Sequence, residues 1–380
     1  MRRTLGWALA AVVMIGAGCK QPTQSGSEIV LGEYASLTGQ TASFGQSSHE
    51  GLMLALEEIN AQGGVLGKKI RVITEDDGSD ASQAVNVVQK LVNADGVAAV
   101  IGEVASKRSL AGGGVCEQYR CPMLSPASTN PDVTVENGKV KPYVFRICFT
   151  DTFQGRIDGK FGLEQGWKNV AMMTNVDEDY SKGLSDSFRK AFAAGGGRIV
   201  AQESYSGDTK DFKSQLSRIK DKNPDAVYVP GYYNEIGLIL PQARQVGLSV
   251  PFFGGDGWDS PQTVKLPEAR GAFYSDHFSP EDPRPEVQHF VQAYRAKYGG
   301  RTPDAMAVLG YDAMRVVADA ITRAGKADRQ AITDALAQTK DFPGASGTIT
   351  IDAEHNARKP IVILQIKNDA AALYKTYPPE

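Results

Sequence analysis

Ile29–Tyr34 is a short, mostly apolar run of strand length. Leu52, Ala55, Leu56 and Ile59 then recur at i, i+3, i+4 and i+7, one face of a helix that stops at Gln62-Gly63-Gly64. Lys69–Thr74 reads as a second strand, and Asp80 is placed to cap a helix whose apolar face is Ala84, Val85, Val88, Leu91 and Val92. Val97–Ile101 is apolar without a break, as in a strand covered on both faces of a parallel sheet. The same grammar returns further along. Phe188, Ala191 and Phe192 lie on a helix ending at Gly195-Gly196-Gly197, and Arg198–Tyr205 is the following strand. Asp208 and Asp211 precede a helix with Phe212, Leu216 and Ile219, and Pro224-Asp225 leads into the strand Ala226–Val229. Helix, glycines, strand, acidic loop, helix, strand and glycine thus occur twice, ending at Gly102 and Gly231. Repeated βα units predict parallel sheets with helices on both faces, and two runs predict two similar lobes. Ligands of such sheets sit beyond the carboxyl ends of the strands, so the cleft between the lobes is the expected site.

Composition narrows the function. Of 380 residues, 41 are Lys or Arg and 44 Asp or Glu, a formal charge of −3 that gives no electrostatic footprint for nucleic acid. Hydrophobic content of 42% with 22% charged residues excludes wholesale disorder and a polytopic membrane protein. Arg2 and Arg3, the uncharged Leu5–Gly18 and the small residues Gly16-Ala17-Gly18 before Cys19 read as an export signal over residues 1–18, too short to span a bilayer comfortably. Residues 19–27 then read as a flexible tether. Cys19 directly after small residues resembles the bacterial lipoprotein signal, which implies lipidation of Cys19; Gly16 departs from that pattern, where an aliphatic residue is usual. An oxidising compartment permits a local disulfide between Cys116 and Cys121, five apart, and leaves Cys148 over in a buried strand. As half a metal site the pair lacks a second Cys pair or a companion His.

Catalytic patterns are searched for with little return. His49, His277, His289 and His355 form no H-E-x-x-H or other close ligand spacing, and there is no G-x-S-x-G elbow. Gly63–Lys68 resembles a phosphate loop but is one residue short and follows a helix instead of a strand. Asp76–Asp80 is a strand-end turn and helix cap, without the bidentate Glu of a calcium loop.

Against that background an ordered set of segments resembles the substrate-binding proteins of bacterial branched-chain amino-acid ABC transporters. It comprises Ser36-Leu37-Thr38-Gly39 with Phe44-Gly45-Gln46, Glu57–Gly67, Val100-Ile101-Gly102, Ser125–Pro131, Tyr180–Leu184, Asp225–Tyr228 with Gly231-Tyr232, and Gly254-Gly255-Asp256-Gly257. The resemblance implies a periplasmic-binding-protein type I fold: two α/β lobes joined by three crossovers, one of about 28–150 with 280–357 and the other of about 151–279 with 358–380. It implies a monomeric, non-enzymatic, cofactor-free carrier in the cell envelope, lipid-anchored on the periplasmic side, that hands a small amino acid to a membrane permease complex. Other small polar ligands (an amide, urea, an aromatic acid) and a partnership with a signalling receptor are the alternatives. Carried over by position, Ser106, Ala127, Ser128 and Thr129 would receive the ligand carboxylate, Asp256 the ammonium, Tyr180 and Tyr232 would close over it, and Phe44 and Val104 would line the side-chain pocket. Each also has an ordinary role as cap, turn or packing residue, and Trp258 can wall the pocket. Lys107 and Arg108 bring charge where small hydroxyl residues are usual, read as a solvated helix surface or as a means of admitting an extra acid.

Overall fold

A computed structural model describes residues 28–379; the expected export signal over residues 1–18, the expected tether and Cys19 lie outside the described residues. The first sheet is parallel throughout, in the order β2-β1-β3-β4-β7, from β1 (Glu28–Ala35), β2 (Lys69–Asp76), β3 (Val100–Ile101), β4 (Met123–Ser125) and β7 (Val144–Arg146), with a small hairpin of β5 (Val135–Glu136) and β6 (Lys139–Val140) beside it. Helices α1 (Ala42–Ala61), α2 (Ala81–Gln89) and α3 (Ser106–Gln118) connect its strands. The expected strand at 97–101 is regular only over its last two residues, although Ala98 N still donates to Val30 O at 2.9 Å. Asp80 caps α2 as the sequence predicts, accepting from Ser82 N and Gln83 N at 2.9 Å each.

The second sheet contains β8 (Asn169–Asn175), β9 (Arg198–Tyr205), β10 (Ala226–Tyr228), β11 (Phe252–Gly254) and β12 (Phe273–Asp276), parallel to one another. Its helices are α4 (Asp151–Glu164), α5 (Asp179–Ala194), α6 (Lys213–Asp221), α7 (Tyr233–Gln245) and the short α8 (Pro261–Val264). The chain then returns to the first lobe with α9 (Pro285–Lys297), α10 (Ala305–Ala324) and α11 (Arg329–Ala337), and with a three-stranded sheet of β13 (Phe342–Gly344), β14 (Gly347–Ile351) and β15 (Ala357–Arg358). It ends with β16 (Ile361–Lys367) and β17 (Ala370–Tyr377), an antiparallel pair that extends the second sheet to β17-β16-β12-β11-β10-β8-β9.

The fold is that of the type I periplasmic binding proteins, and the chain passes between lobes three times: from β7 to α4, from β12 to α9 and from β15 to β16. Within the first lobe α10 lies directly on α1, so closely that a Cβ on Gly51 would stand 1.8 Å from Ala307 O and one on Gly310 would stand 2.0 Å from Ser48 O. Only glycine fits either position. This contact fixes the α10 N-terminus, and with it Met306, at the mouth of the cleft. Among the described residues no helix is long and apolar enough to cross a membrane.

Candidate functional site

Both sheets direct the carboxyl ends of their strands at the cleft. From the first lobe come the loop after β3, the first turn of α3 and the loop after β4; from the second come the turns after β10 and β11. They line a narrow gap in which the centre of a water molecule can range over only about 10 Å³, about enough for a single water, so the walls must part to admit a ligand and close again on it. Phe44, Val104, Ser106, Ala127, Thr129 and Met306 form the first-lobe wall, and Tyr180, Tyr232, Asp256 and Gly257 the second.

The first-lobe wall carries the N-terminus of α3. The opening amides of a helix have no intrahelical partner and carry the positive end of its dipole, and Ser106 begins α3 at this point. Glu103 sets the loop that feeds the helix: its side chain accepts from Ser36 N at 3.1 Å, from Ala105 N at 2.5 Å and from Arg108 Nε at 3.1 Å. The adjoining loop is held by Asn130 N donating to Ser106 Oγ at 3.2 Å and by Arg146 donating to Ser128 O at 2.7 Å. Ala127 and Thr129 face the cavity, as the resemblance implies. Ser128 does not: its hydroxyl turns inward to Glu103 O at 2.9 Å and Ser109 Oγ at 2.6 Å, so it shapes the loop without lining the site.

Across the cavity stands Asp256, 4% exposed. Its Oδ1 accepts from Gln154 Nε2 and from the Tyr180 hydroxyl, both at 2.9 Å, and Oδ2 faces His277 Nε2 at 3.1 Å. Burial holds the His277 ring below its ordinary pKa, against the pull of Asp256, so the imidazole is neutral and donates through Nε2. The sequence assigns no site role to Gln154, His277, Met306 or Gly257; Gln154 lies on α4 and His277 in a crossover, and only the assembled fold brings them together. Burial first, with the charge of Asp256 adding to it, raises Asp151 well above the carboxylate range; burial and then the Asp259 charge do the same for Asp276, and burial lifts Asp158 to about 8.

Aromatic rings close the remaining sides. Tyr180 and Tyr232 stack with centroids 5.0 Å apart and planes 9° apart, and Phe44 meets Tyr232 edge-on at 5.8 Å. Trp258 is not a wall. It is fully buried in the second-lobe core, with Nε1 donating to Val229 O at 2.8 Å.

Two further expectations need correction. Arg108 is 3% exposed, not solvated: it pairs with Glu103 and donates to the Thr41 hydroxyl at 2.7 Å. Burial opposes its charge, but Glu103, with Tyr232 and Asp77, more than offsets this and raises its pKa. Asp77 behind it is pushed to about 7 by burial and by the Glu103 charge. Lys107, half-buried, reaches over the cleft to Asp177 O at 3.0 Å. Cys116 and Cys121 stand as free thiols, as does Cys148. Arg120 between the first two is left-handed at φ 49°, and Cys121 N donates to Cys116 O at 3.0 Å. That is the helix stop in which residues five apart touch as an apolar pair, so the spacing serves the end of α3.

The lobes touch around the cavity through more than Lys107. Asn130 Nδ2 donates to Asp179 O at 2.7 Å, Ala305 N donates to Asp259 Oδ2 at 2.6 Å, and the Tyr233 hydroxyl accepts from Ser43 N and donates to Gln40 O, each at 3.1 Å. Among the described residues no group of His, Cys, Asp and Glu is placed to hold a metal ion.

Known proteins share this arrangement. A leucine-binding protein LivK from Thermotoga maritima superposes with a TM-score of 0.88 at 37% identity, covering 92% of this chain and 99% of that one. The branched-chain amino-acid substrate-binding protein LivJ of Streptococcus pneumoniae, solved with isoleucine, gives 0.87 at 34% identity, covering 93% and 100%. A leucine-, isoleucine-, valine-, threonine- and alanine-binding protein of Pseudomonas aeruginosa is 29% identical over 338 residues, 88% of this chain and 89% of its own. The family model of periplasmic binding proteins matches residues 28–371, and the chain belongs to that family.

Proposed function

We propose that this protein captures a small α-amino acid, with the branched-chain set as its core ligands, between its two lobes and delivers it to an ABC permease. The observation that carries the reading is a helix N-terminus with the Ser106 and Thr129 hydroxyls on one wall, opposite a buried carboxylate, Asp256, on the other, with apolar Phe44, Val104 and Met306 between. A zwitterion satisfies both ends at once, and an apolar side chain fills the middle. We divide the chain into lobes at 28–150 with 280–357 and 151–279 with 358–380, so that ligand contacts come from both. Since ligand touches both lobes, it favours closure by its differential affinity for the closed form. The three relatives named above carry amino-acid-binding names, in support of this reading. Residues 1–18 direct export, and Cys19 carries the lipid anchor on the periplasmic side. Calorimetric titration of purified protein with leucine, isoleucine, valine, threonine and alanine tests the function: saturable binding of at least one is expected, and binding of none refutes it. Fatty-acid labelling that survives Cys19→Ala refutes the anchor.

A further inference from the structure

Away from the ligand cavity the lobes meet at a cluster of acids. Ala305 is the first residue of α10, in the first lobe, and its amide is one of the opening donors that a helix cannot satisfy itself. Its partner is Asp259 Oδ2 of the second lobe, at 2.6 Å, while Asp304 caps the same helix by accepting from Ala307 N at 2.9 Å. A side chain of one lobe thus closes a helix end of the other. Asp259 Oδ1 accepts from the Tyr274 hydroxyl at 3.0 Å. Behind it lies Asp276, 1% exposed, whose Oδ1 accepts from His277 N at 2.8 Å. Among the described residues no amide, hydroxyl or cation donates to the buried Oδ2 of Asp276. The Asp259 and Asp276 side chains are instead hydrogen-bonded to each other. Ionised carboxylates only accept, so a hydrogen bond between two of them requires a proton on one.

We propose that Asp259 and Asp276 form a proton-sharing latch between the lobes, so that closing on a ligand takes up a proton and the carrier holds its ligand more tightly below neutral pH than above it. The inference rests on closure of the two lobes over an amino acid. Asp259, Asp276 and Asp304 all border a groove in which the centre of a water molecule can range over about 620 Å³. When the lobes part, Ala305 N and Asp304 withdraw with α10 and water from this groove reaches Asp259. In the closed form burial, helped by the Asp256 charge, raises Asp259; burial and then the Asp259 charge raise Asp276; and burial with the Asp259 charge brings Asp304 to about 7. The remaining charged groups along the groove are Glu50 on α1, Lys265 after α8, Glu281 in the crossover, Arg295 on α9, Arg301 before α10 and Asp369 after β16, and Arg301 is paired with Glu50 at 2.6 Å. Carboxyls raised by closure favour the closed form fully below their open-state values, and that preference is lost as pH rises through the closed-state ones. Since ligand binding is coupled to closure, it inherits the same dependence.

Titration calorimetry with leucine near pH 7, in two buffers of different ionisation enthalpy, counts the protons exchanged on binding. The wild type should take up about half to one proton, and its Kd should rise by about tenfold from about pH 6 to about pH 8, within the limit of tenfold per pH unit for one proton. In Asp259→Asn the amide donates to Asp276 where the proton sat, and Asp304 loses its like-charged neighbour. Uptake should then fall below about 0.2 proton, and Kd should stay within about twofold over the same range. Asp276→Asn makes the same replacement from the other side of the pair and should behave alike; a cooperative melt shows that each variant is folded. Absence of uptake in the wild type, or uptake that persists in either folded variant, overturns the inference. If the wild type binds none of leucine, isoleucine, valine and alanine, the amino-acid reading itself falls and takes this inference with it, an outcome distinct from binding without proton uptake.

Discussion

Asp256→Asn separates charge from shape at the ammonium end of the cleft. The asparagine oxygen can keep the two hydrogen bonds from Gln154 and Tyr180, each 2.9 Å in the wild type, and its amide can donate to His277 Nε2 once the neutral ring carries its proton on the unpartnered Nδ1, so the ligand-free protein should retain its thermal midpoint within a few degrees. The ligand loses the carboxylate opposite its ammonium group. In a closed cavity with room for little water, leaving one member of a buried charge pair alone costs roughly 3–5 kcal/mol, which is about 10² to 10⁴ in dissociation constant. Asp256→Ala is the harsher change, because Gln154, Tyr180 and His277 all lose their acceptor; each buried donor left unpaired costs about 1–3 kcal/mol, so this variant should also melt earlier. Titration calorimetry with the tightest ligand of the wild type measures the first quantity, and differential scanning fluorimetry without ligand the second. An Asp256→Asn variant that binds within threefold of wild type refutes the assignment of Asp256 as ammonium acceptor.

Three other outcomes follow from measured geometry. Tyr233→Phe removes a hydroxyl that bridges the lobes without touching the cavity, so it should raise ligand dissociation by about three- to tenfold, the worth of one hydrogen bond; an unchanged off-rate in stopped-flow displacement refutes its role in closure. Asp158 is protonated in the fold up to about pH 8, but in the unfolded chain it ionises near pH 4. The unfolded state therefore binds fewer protons between those values, and stability falls as pH rises. The decline in thermal midpoint from about pH 6.5 to 8 should be shallower in Asp158→Asn than in wild type, and equal slopes count against it. Peptide mapping after alkylation in denaturant without reductant should find Cys116 and Cys121 both modified; a bridged 116–121 peptide contradicts the helix-stop explanation.

The alternation of strands and helices was legible because hydrophobic period and glycine stops are local signals, and Asp80 was legible as a cap for the same reason. Features that depend on direction were not. In the loop after β4 the sequence motif marks residues 127 to 129 together, yet the folded loop sends them to different partners. Ala127 and Thr129 thus reach the cavity while Ser128 turns into the loop network. Arg108 reads as a surface residue of a helix; that it is buried follows from Glu103, which folds back from the loop after β3 to meet it at 3.1 Å. Trp258, two residues past Asp256, is drawn into the second-lobe core because Val229 O lies within reach of its indole N–H.

The electrostatic logic of the ammonium end depends on this same convergence. Asp151, Asp158 and Asp276 are buried near Asp256, and four ionised carboxylates in one dry region would repel one another strongly. Burial first, with the charge of Asp256 and, for Asp276, more strongly that of Asp259, pushes all three upward, Asp158 to about 8. Asp256 differs in that side chains from three elements, Gln154 on α4, Tyr180 on α5 and His277 in the crossover, all turn a hydrogen-bonding group toward it. Three hydrogen-bonding groups thus converge on one carboxylate at the cavity wall, the place proposed for the ligand's ammonium group. Two of the three donors come from α4 and from the segment after β12, which adjoin the crossovers. The carboxylate end, on α3 and the loop after β4, belongs to the other lobe. On the proposed reading a single zwitterion would contact both ends, so its binding would favour the closed form by its differential affinity.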